Sequence, residues 1–591
     1  MAQERKSIFG EHLRRHALSY GFGFALLFVS CYLQLYIPEL IGRFTDRLEH
    51  SLLTREEAWR YGIGILTVGA GVAFFRSISR IYLFRLARRL EMRLRNELFA
   101  HWETMSARFY DERRVGDLMA YSISDVGVIR ETTMGALFNA MEAVVLIVIA
   151  VVTLSATVDP WLTLWTMLPL PLLSLLAYRF QRRMQAQSND IQDAIARMTS
   201  RVQEFVAGVR VVKAFAREES ERERFGADNR AAAETNLALV RTQSSFSALG
   251  SIVVGASVFV SVVVGGWMTL RGMLSLGDFA ALNTTLSLLV GPVENLGKVV
   301  HQIQRGVASQ RRLLELFRTP PDIADDERTD MSVVDIEGDI EIRNLTFCYP
   351  GQARPALRDV SLRVPKGATL GVVGRVGAGK TTLVHLLVRL YDPPEGTIFL
   401  DGRDIRTIPL AVLRDRIGVV TQETFLFSST VRDNIAFNPH PTTEDQVKEA
   451  AEIADVYKDV RTFSDGFDTE VGERGISLSG GQRQRLGIAR AVIKRPSVYL
   501  LDDCLSAVDA VTEERILHRL RAATRGRTTV IVAHRVSAVR HADLIAVLED
   551  GRIVETGTHE SLLRLNGRYA EMVRMQAPDA EGTLVEEGVS G

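Results

Sequence analysis

Before residue 305 the chain carries six apolar runs, each close to the roughly 20 residues that a helix needs to cross the hydrocarbon core of a bilayer. They lie at about 20–41, 61–84, 134–158, 161–180, 246–270 and 278–300. Stretches such as Glu142–Thr153 and Ile252–Met268 are apolar on almost every side, as helices in lipid or inside a bundle are; a helix on a water-facing core keeps one polar face. The first run is too long for a secretory signal, has no small-residue cleavage site behind it, and is followed by five more. Six spans therefore dominate the first half of the chain.

Basic residues set the expected orientation, because Lys and Arg collect on the cytoplasmic side. Arg5, Lys6, Arg14 and Arg15 precede the first run; Arg85, Arg88, Arg89, Arg93 and Arg95 follow the second; Arg179, Arg182 and Arg183 follow the fourth. With these segments inside, both termini are cytosolic, and Asp159 and Pro160 alone separate the third and fourth spans on the outside. The two inner connections, 85–133 and 181–245, keep a helical spacing of apolar residues (Leu86, Leu90 and Leu94, with Arg93 and Glu97 beside them) and hold almost no breakers. They are expected to be spans that continue into the cytosol, each interrupted near its midpoint, at Phe109–Asp117 and at Gly208–Arg217.

Thr319-Pro320-Pro321-Asp322 ends the helical pattern, so residues 1–318 form the membrane domain and 319–335 an acidic linker. Short β-branched strands then alternate with helices, the pattern of an α/β domain, over 336–575. The last residues, 576–591, are acidic and small, the composition of a disordered tail. Acidic and basic residues cancel at 71 each, which excludes a dedicated nucleic-acid binder. Cys31, Cys348 and Cys504 lie far apart and suggest neither a metal cluster nor a disulfide framework.

The chemistry sits in the second half. Thr369–Val373 reads as a buried strand running into Gly374-Arg375-Val376-Gly377-Ala378-Gly379-Lys380-Thr381, followed by Thr382 and an apolar helix. This is the phosphate-binding loop in its strand–loop–helix setting. Its glycines let backbone N–H groups wrap phosphate oxygens, the helix N-terminus adds about half a positive charge, Lys380 reaches the β- and γ-phosphates of ATP, and Thr381 offers its hydroxyl to Mg²⁺. Val498–Asp502 reads as a second buried strand ending in a carboxylate that anchors Mg²⁺. Asp503 follows, where a general base for the attacking water belongs. His534 ends a third strand, Thr529–Ala533, and is assigned to the γ-phosphate. Leu478-Ser479-Gly480-Gly481-Gln482, ahead of Arg483-Gln484-Arg485, opens an amphipathic helix with an anion-binding N-terminus. Such a segment suits a γ-phosphate held by a facing domain.

With these motifs the chain resembles the ATP-binding cassette (ABC) exporters, specifically the multidrug-resistance-like half-transporters that fuse one membrane domain to one ATPase domain. The resemblance covers nearly the whole chain. It implies a six-span α-helical membrane domain with long cytosolic helix extensions, then an α/β ATPase domain of the ABC type. It further implies that Tyr349 stacks on adenine and that Gln422 senses Mg²⁺ and water. Thr469–Gly475 is similar to the exporter-specific loop that touches the membrane domain, and Ser506–Asp509 to the loop that meets its counterpart across the dimer. The two helix interruptions resemble coupling helices. The implied activity is ATP-driven export by alternating access, in the inner or plasma membrane of a bacterium, with a second half-transporter as partner. The cargo, a small molecule, drug, lipid or peptide, is not legible. Glu142, Asn283, Glu294, Asn295 and Lys298 are polar at or near membrane depth and are candidates for it.

One residue departs from the family pattern, which has Glu where this chain has Asp503. Asp is one methylene shorter, about 1.5 Å of reach, while a general base must lie within about 2.6–3.2 Å of its proton and an error near 1 Å costs about a hundredfold. The site is expected to hydrolyse slowly. The resemblance implies that such chains pair with a different half-transporter that supplies Glu, the segment 478–482 completing the partner's competent site. A homodimer with two slow sites, and an ATP-gated channel or regulator, stand as alternatives.

Overall fold

The structure is a computed structural model and describes residues 7–50, 53–438, 440–472, 475 and 478–576. The chain divides into two units: residues up to 103 with 113–320, and residues 104–112 with 321 onward.

The first unit is helical. A short helix α1 (Ile8–Arg15) leads into α2 (Ala17–Glu49) and α3 (Arg55–Glu103). After the small helix α4 (Ala107–Asp111) come α5 (Val115–Thr157), α6 (Pro160–Ala207), the short α7 (Val209–Ala214), α8 (Glu218–Leu270) and α9 (Leu276–Arg318). Among the described residues six helices are long and apolar enough to cross a membrane, and each runs well past its apolar stretch. The apolar window of α3 is only 6% buried within the chain, and no window exceeds 33%. Apolar surface on that scale has no place in water, so lipid or a partner chain must cover it. α5 contains two wider turns, at 121–125 and 132–136, and α8 contains one, at 261–265.

The turn between α5 and α6 is as short as the sequence suggested, two residues, but lies one residue earlier, at Val158 and Asp159. Pro160 is inside α6, not in the turn, because a proline at the first helical position gives up no needed N–H. Asp159 caps that helix, its Oδ1 accepting from Leu162 N at 2.9 Å. The interruptions fall where the breakers are: α4 and its flanks replace regular helix around Phe109, and Gly208 ends α6. Residues 104–112 group with the second unit, where Ser106 Oγ donates to Asp322 at 3.1 Å and the Tyr391 hydroxyl donates to Asp111.

The first and last spans meet backbone to backbone. A Cβ at Gly277 would lie 2.2 Å from the Gly42 carbonyl oxygen, and one at Gly42 would lie 2.7 Å from the Gly277 carbonyl oxygen. Asp46 on α2 reaches the start of α9, accepting from Gly277 N at 2.6 Å and from Ser275 Oγ at 3.1 Å. At the other end Gln310 of α9 accepts from Phe9 N at 3.0 Å and Ser7 Oγ at 3.3 Å, which holds α1 to the same helix.

The second unit is a two-sheet α/β domain. A four-stranded antiparallel sheet has the order β2 (Leu357–Val364), β1 (Ile340–Phe347), β4 (Ile398–Leu400), β5 (Arg403–Asp404). A six-stranded sheet has the order β10 (Arg552–Gly557), β9 (Leu544–Glu549), β3 (Thr369–Gly374), β8 (Thr528–Ala533), β7 (Val498–Asp502), β6 (Ile417–Val420). β9, β3, β8, β7 and β6 are mutually parallel, so the carboxyl ends of β3, β7 and β8 share one edge. Open parallel sheets bind ligands at that edge. Of the expected tail, Gln576 belongs to the helix Arg568–Gln576, which it closes, and 577–591 lie outside the described residues. Residues 319–339 hold no helix or strand.

Gly277→Val is expected to destabilise the helical unit by about 1–3 kcal/mol, the usual cost of forcing side-chain volume into a packed contact. Gly291→Ala, at a site with nothing within 4 Å, is expected to leave stability unchanged or raise it. Thermal unfolding of both variants in detergent would decide, and equal midpoints would show that the α2–α9 contact is not tight.

Candidate nucleotide site

At the end of β3 the chain turns through a loop that only glycine can make. Gly377 has φ +81° and Gly379 φ +100°, and a Cβ at Gly379 would lie 2.5 Å from the Ala356 carbonyl oxygen. The loop delivers the chain into the helix Lys380–Leu387, whose first N–H groups point back toward the loop and lack helical partners. Lys380 is 5% exposed; its Nζ donates to the carbonyls of Gly374 at 2.8 Å and Arg375 at 3.0 Å. Burial lowers its pKa, and the nearby Asp503 and Asp502 carboxylates partly oppose that. The cradle fits a polyphosphate, because backbone donors, a helix N-terminus and a desolvated ammonium converge.

Asp502 at the end of β7 is 3% exposed, and burial raises its pKa against the opposing pull of a Thr381 hydrogen bond. Asp503, the next residue, has φ +44°, a left-handed conformation that Asp tolerates better than most side chains. Its N–H donates to the Val532 carbonyl at 2.9 Å, which ties β7's end to β8.

A cavity of about 620 Å³, of ligand-binding size, gathers most of the residues expected from the sequence. Tyr349, Val376, Gly377, Ala378, Gly379, Lys380, Thr381, Thr382, Gln422, Asp502, Asp503 and His534 all line it. The Tyr349 ring packs edge-on to Tyr391 with centroids 5.0 Å apart, and its hydroxyl donates to Thr382 Oγ1 at 3.2 Å. Thr381, Gln422 and Asp502 supply oxygen donors to one cavity, the donor set a hard divalent cation takes. The His534 backbone carbonyl accepts from Gln576 Nε2 at 2.8 Å, and Gln576 Oε1 accepts from Val536 N at 2.8 Å.

Two groups of expected residues lie elsewhere. Gly374 and Arg375 line an adjoining cavity that shares Val376 and His534. Gly480 lines a third cavity with Arg483, Gln484 and Ala507, which meets the first only through Gln422. Ser479, Gly481 and Gln482 line neither this chain's nucleotide cavity nor that third one. Ser479 caps the helix Gly480–Ile493: its Oγ accepts from Gln482 N at 3.2 Å and its N–H donates to Gln482 Oε1 at 2.9 Å. One turn on, Gln484 donates to Ser506 Oγ at 2.9 Å and accepts from Ala507 N at 2.9 Å. Ser506 Oγ in turn donates to the Asp503 carbonyl at 3.0 Å.

The sequence reading missed Gln352, Arg354, Pro355, Ala356, Asp550 and Gly551, which complete the cavity wall. Arg354 and Asp550 form an ion pair at 3.1 Å. Asp550-Gly551 signals only a hairpin turn in the sequence, and its register beside Ala356 appears only once β9 and β10 fold. Of the polar residues at membrane depth, Glu142 pairs with Arg76 at 2.5 Å and Asn283 donates to its own helix at the Phe279 carbonyl, 2.9 Å away. For 469–475, residues 473 and 474 lie outside the described residues.

Comparison with known proteins agrees with this architecture. The family model described as ABC transporter transmembrane region matches residues 20–293, and the one described as ABC transporter matches 357–506. The chain is 34% identical over 585 residues to a probable multidrug resistance ABC transporter ATP-binding/permease protein, YheI, of Bacillus subtilis, covering 98% of both. It is 31% identical over 569 residues to the multidrug resistance-like ATP-binding protein MdlA of Escherichia coli, covering 96% of both. A solved structure of a bacterial Atm1-family ABC exporter with ATP bound superposes with a TM-score of 0.78 at 28% identity, over 96% of this chain and 99% of that one.

Lys380→Ala is expected to weaken nucleotide binding at this chain's own site at least tenfold, read with a labelled ATP analogue. Unchanged occupancy would remove the loop 374–381 from the site. The raised pKa of Asp502 gives a second expectation with a definite sign. A proton competes with a cation for the carboxylate, so the magnesium-dependent part of nucleotide affinity weakens as pH falls, beginning above the range where a free Asp protonates. A magnesium titration at several pH values checks it; Asp502→Asn is expected to bind weakly and without that pH dependence.

Proposed function

The chain belongs to the ATP-binding cassette transporter family, as an exporter half with a membrane domain fused to an ATPase domain, and we propose that it serves as the unequal subunit of a heterodimer. Members of this family couple ATP hydrolysis to transport and act as dimers in the bilayer. In this chain Tyr349 stacks on adenine, residues 374–382 wrap the phosphates and Lys380 neutralises their charge. Thr381, Asp502 and Gln422 would hold Mg²⁺, which would supply counter-charge to the bound polyphosphate. Asp503 orients the attacking water and His534 contacts the γ-phosphate.

The separation of the Ser479–Gln482 segment from this chain's own nucleotide cavity carries the dimer reading, and Asp503, where the family has Glu, makes that dimer unequal. A helix N-terminus with a serine and two glycines attracts phosphate, and here it has none of its own to serve. It therefore serves the nucleotide held by the facing chain. Asp503, one methylene short, leaves this chain's own phosphate loop holding nucleotide and turning it over slowly, while the partner's longer carboxylate works beside Ser479. The transported substrate crosses by alternating access, with both termini in the cytosol of a bacterial cell.

Damage to Ser479 should accordingly appear in trans. Ser479→Arg removes a donor aimed at transition-state charge, worth roughly a hundred- to a thousandfold in rate, and adds bulk where two domains close. Asp503→Ala removes a carboxylate that contributes little. Steady-state phosphate release from the purified complex is expected to fall far more in Ser479→Arg than in Asp503→Ala. The reverse order would end the claim that this chain completes its partner's site, and equal large losses would favour two equivalent sites. ATP-driven uptake into inside-out vesicles separates an exporter from a gated channel.

A further inference from the structure

The turn that follows β8 begins with His534, and two helices grip it from outside the sheet. From one side comes the helix Ala510–Ala523, whose Glu513, 3% exposed, accepts from Arg535 at 2.9 Å and from Ser537 Oγ at 2.7 Å. Arg535 also donates to the Val508 carbonyl at 3.2 Å. From the other side comes the helix Arg568–Gln576. Glu513 holds side chains of the turn; Gln576 holds its backbone. The Val536 N–H donates to Gln576 Oε1, and Gln576 Nε2 donates to the His534 carbonyl, both at 2.8 Å.

A primary amide that faces an N–H and a C=O is satisfied in one orientation only, so the two bonds fix the Gln576 side chain as well as the turn. It offers the turn the same pair of groups that a neighbouring strand would. Gln576 is exposed, and a lone hydrogen bond at the surface contributes little. Here the helix that carries it is already docked. Glu555 accepts from the Arg568 and Tyr569 N–H groups at 2.5 and 3.0 Å, a carboxylate placed at a helix N-terminus. Tyr569 is fully buried, its hydroxyl 2.7 Å from His559 Nδ1. Gln576 therefore gives up only its own side-chain freedom when it bonds.

His534 lines the nucleotide cavity and also the adjoining cavity of about 290 Å³, whose wall includes Met572, Met575 and Gln576. The rotamers open to a side chain follow from its backbone angles, so whatever fixes the backbone at 534–536 fixes the aim of the imidazole. We infer that Gln576 is a positioning residue for His534, holding the turn on both sides of Arg535 so that the ring meets the γ-phosphate. The inference rests on the assignment of His534 to that phosphate in the reading above. Its consequence is selective: ADP has no γ-phosphate, so a loosened turn weakens ATP and spares ADP.

The test uses the full-length chain purified with its partner. Labelled azido-ATP is photoincorporated on ice, ATP or ADP is the competitor, and the two chains are read separately. His534→Ala is expected to cut this chain's preference for ATP over ADP at least tenfold, within the usual range for a hydrogen bond to a charged group. Gln576→Met, equal in length but without either bond, is expected to cut it about three- to tenfold and to leave ADP affinity within about twofold. Gln576→Glu keeps the acceptor but turns a carboxylate toward the His534 carbonyl, and is expected to lose at least as much. In a His534→Ala background Gln576→Met is expected to change nothing further, because a residue that acts through another has no effect once that other is gone. Unchanged preference in Gln576→Met, equal loss of ATP and ADP, or an undiminished effect in the His534→Ala background would each overturn the inference. Should the variants fail to assemble, hydrogen exchange in the wild-type complex decides: the Val536 amide is expected to exchange slowly, and exchange at the free-peptide rate would overturn the inference. If His534→Ala itself leaves the preference intact, the γ-phosphate assignment falls and takes this inference with it. If His534→Ala lowers the preference and Gln576→Met does not, this inference falls alone.

Discussion

A backbone amide inside hydrocarbon has no water to bond, so each spanning segment must close its own hydrogen bonds. That constraint shapes the whole first unit. It makes the spans helices, and because helices carry their bonds internally they continue beyond the apolar runs without a break until a residue stops them. Gly208 stops α6, and the turn around Ser106 stops α3. The same constraint keeps irregular backbone, where side chains can converge on a small ligand, in the second unit. There the parallel strands β3, β7 and β8 end along one edge, and the glycine loop, the Asp502 carboxylate and His534 all hang from it.

Within the second unit, the segment that lines no part of the local nucleotide cavity is not independent of it. Gln484, buried in the helix that Ser479 caps, bonds Ser506 and Ala507, and Ser506 bonds the carbonyl of Asp503. A side-chain amide and a hydroxyl thus connect the helix beginning at Gly480 to the carboxylate position beside this chain's own phosphates. Hydrogen-bonded chains of this kind couple two places without any contact between their ligands.

What the sequence revealed divides along physical lines. Local chemistry was readable: the residues of 376–382, together with Asp502, Asp503, Gln422, His534 and Tyr349, line one cavity because each motif fixes its own backbone and the parallel sheet aligns the strand ends. Register was not readable. Asp550 and Gly551 join the cavity only through the pairing of β9 with β10, and Arg354 arrives from the turn before β2. Gln576 looked like the first residue of an acidic tail, yet its amide holds the backbone on both sides of Arg535. Pairings across helices were equally hidden. Glu142 stood out as a lone acid in an apolar run, and nothing local announced that Arg76 on α3 would meet it.

The glycine contact between α2 and α9 has a mechanical consequence. Two helices whose backbones touch, with Asp46 bridging them at one end and Gln310 clasping the N-terminal helix at the other, cannot slide past one another. The first span and the last form a single strut. The chain leaves that strut at Arg318. A label carried on α1, at Ile8–Arg15, therefore reports the motion of the strut itself.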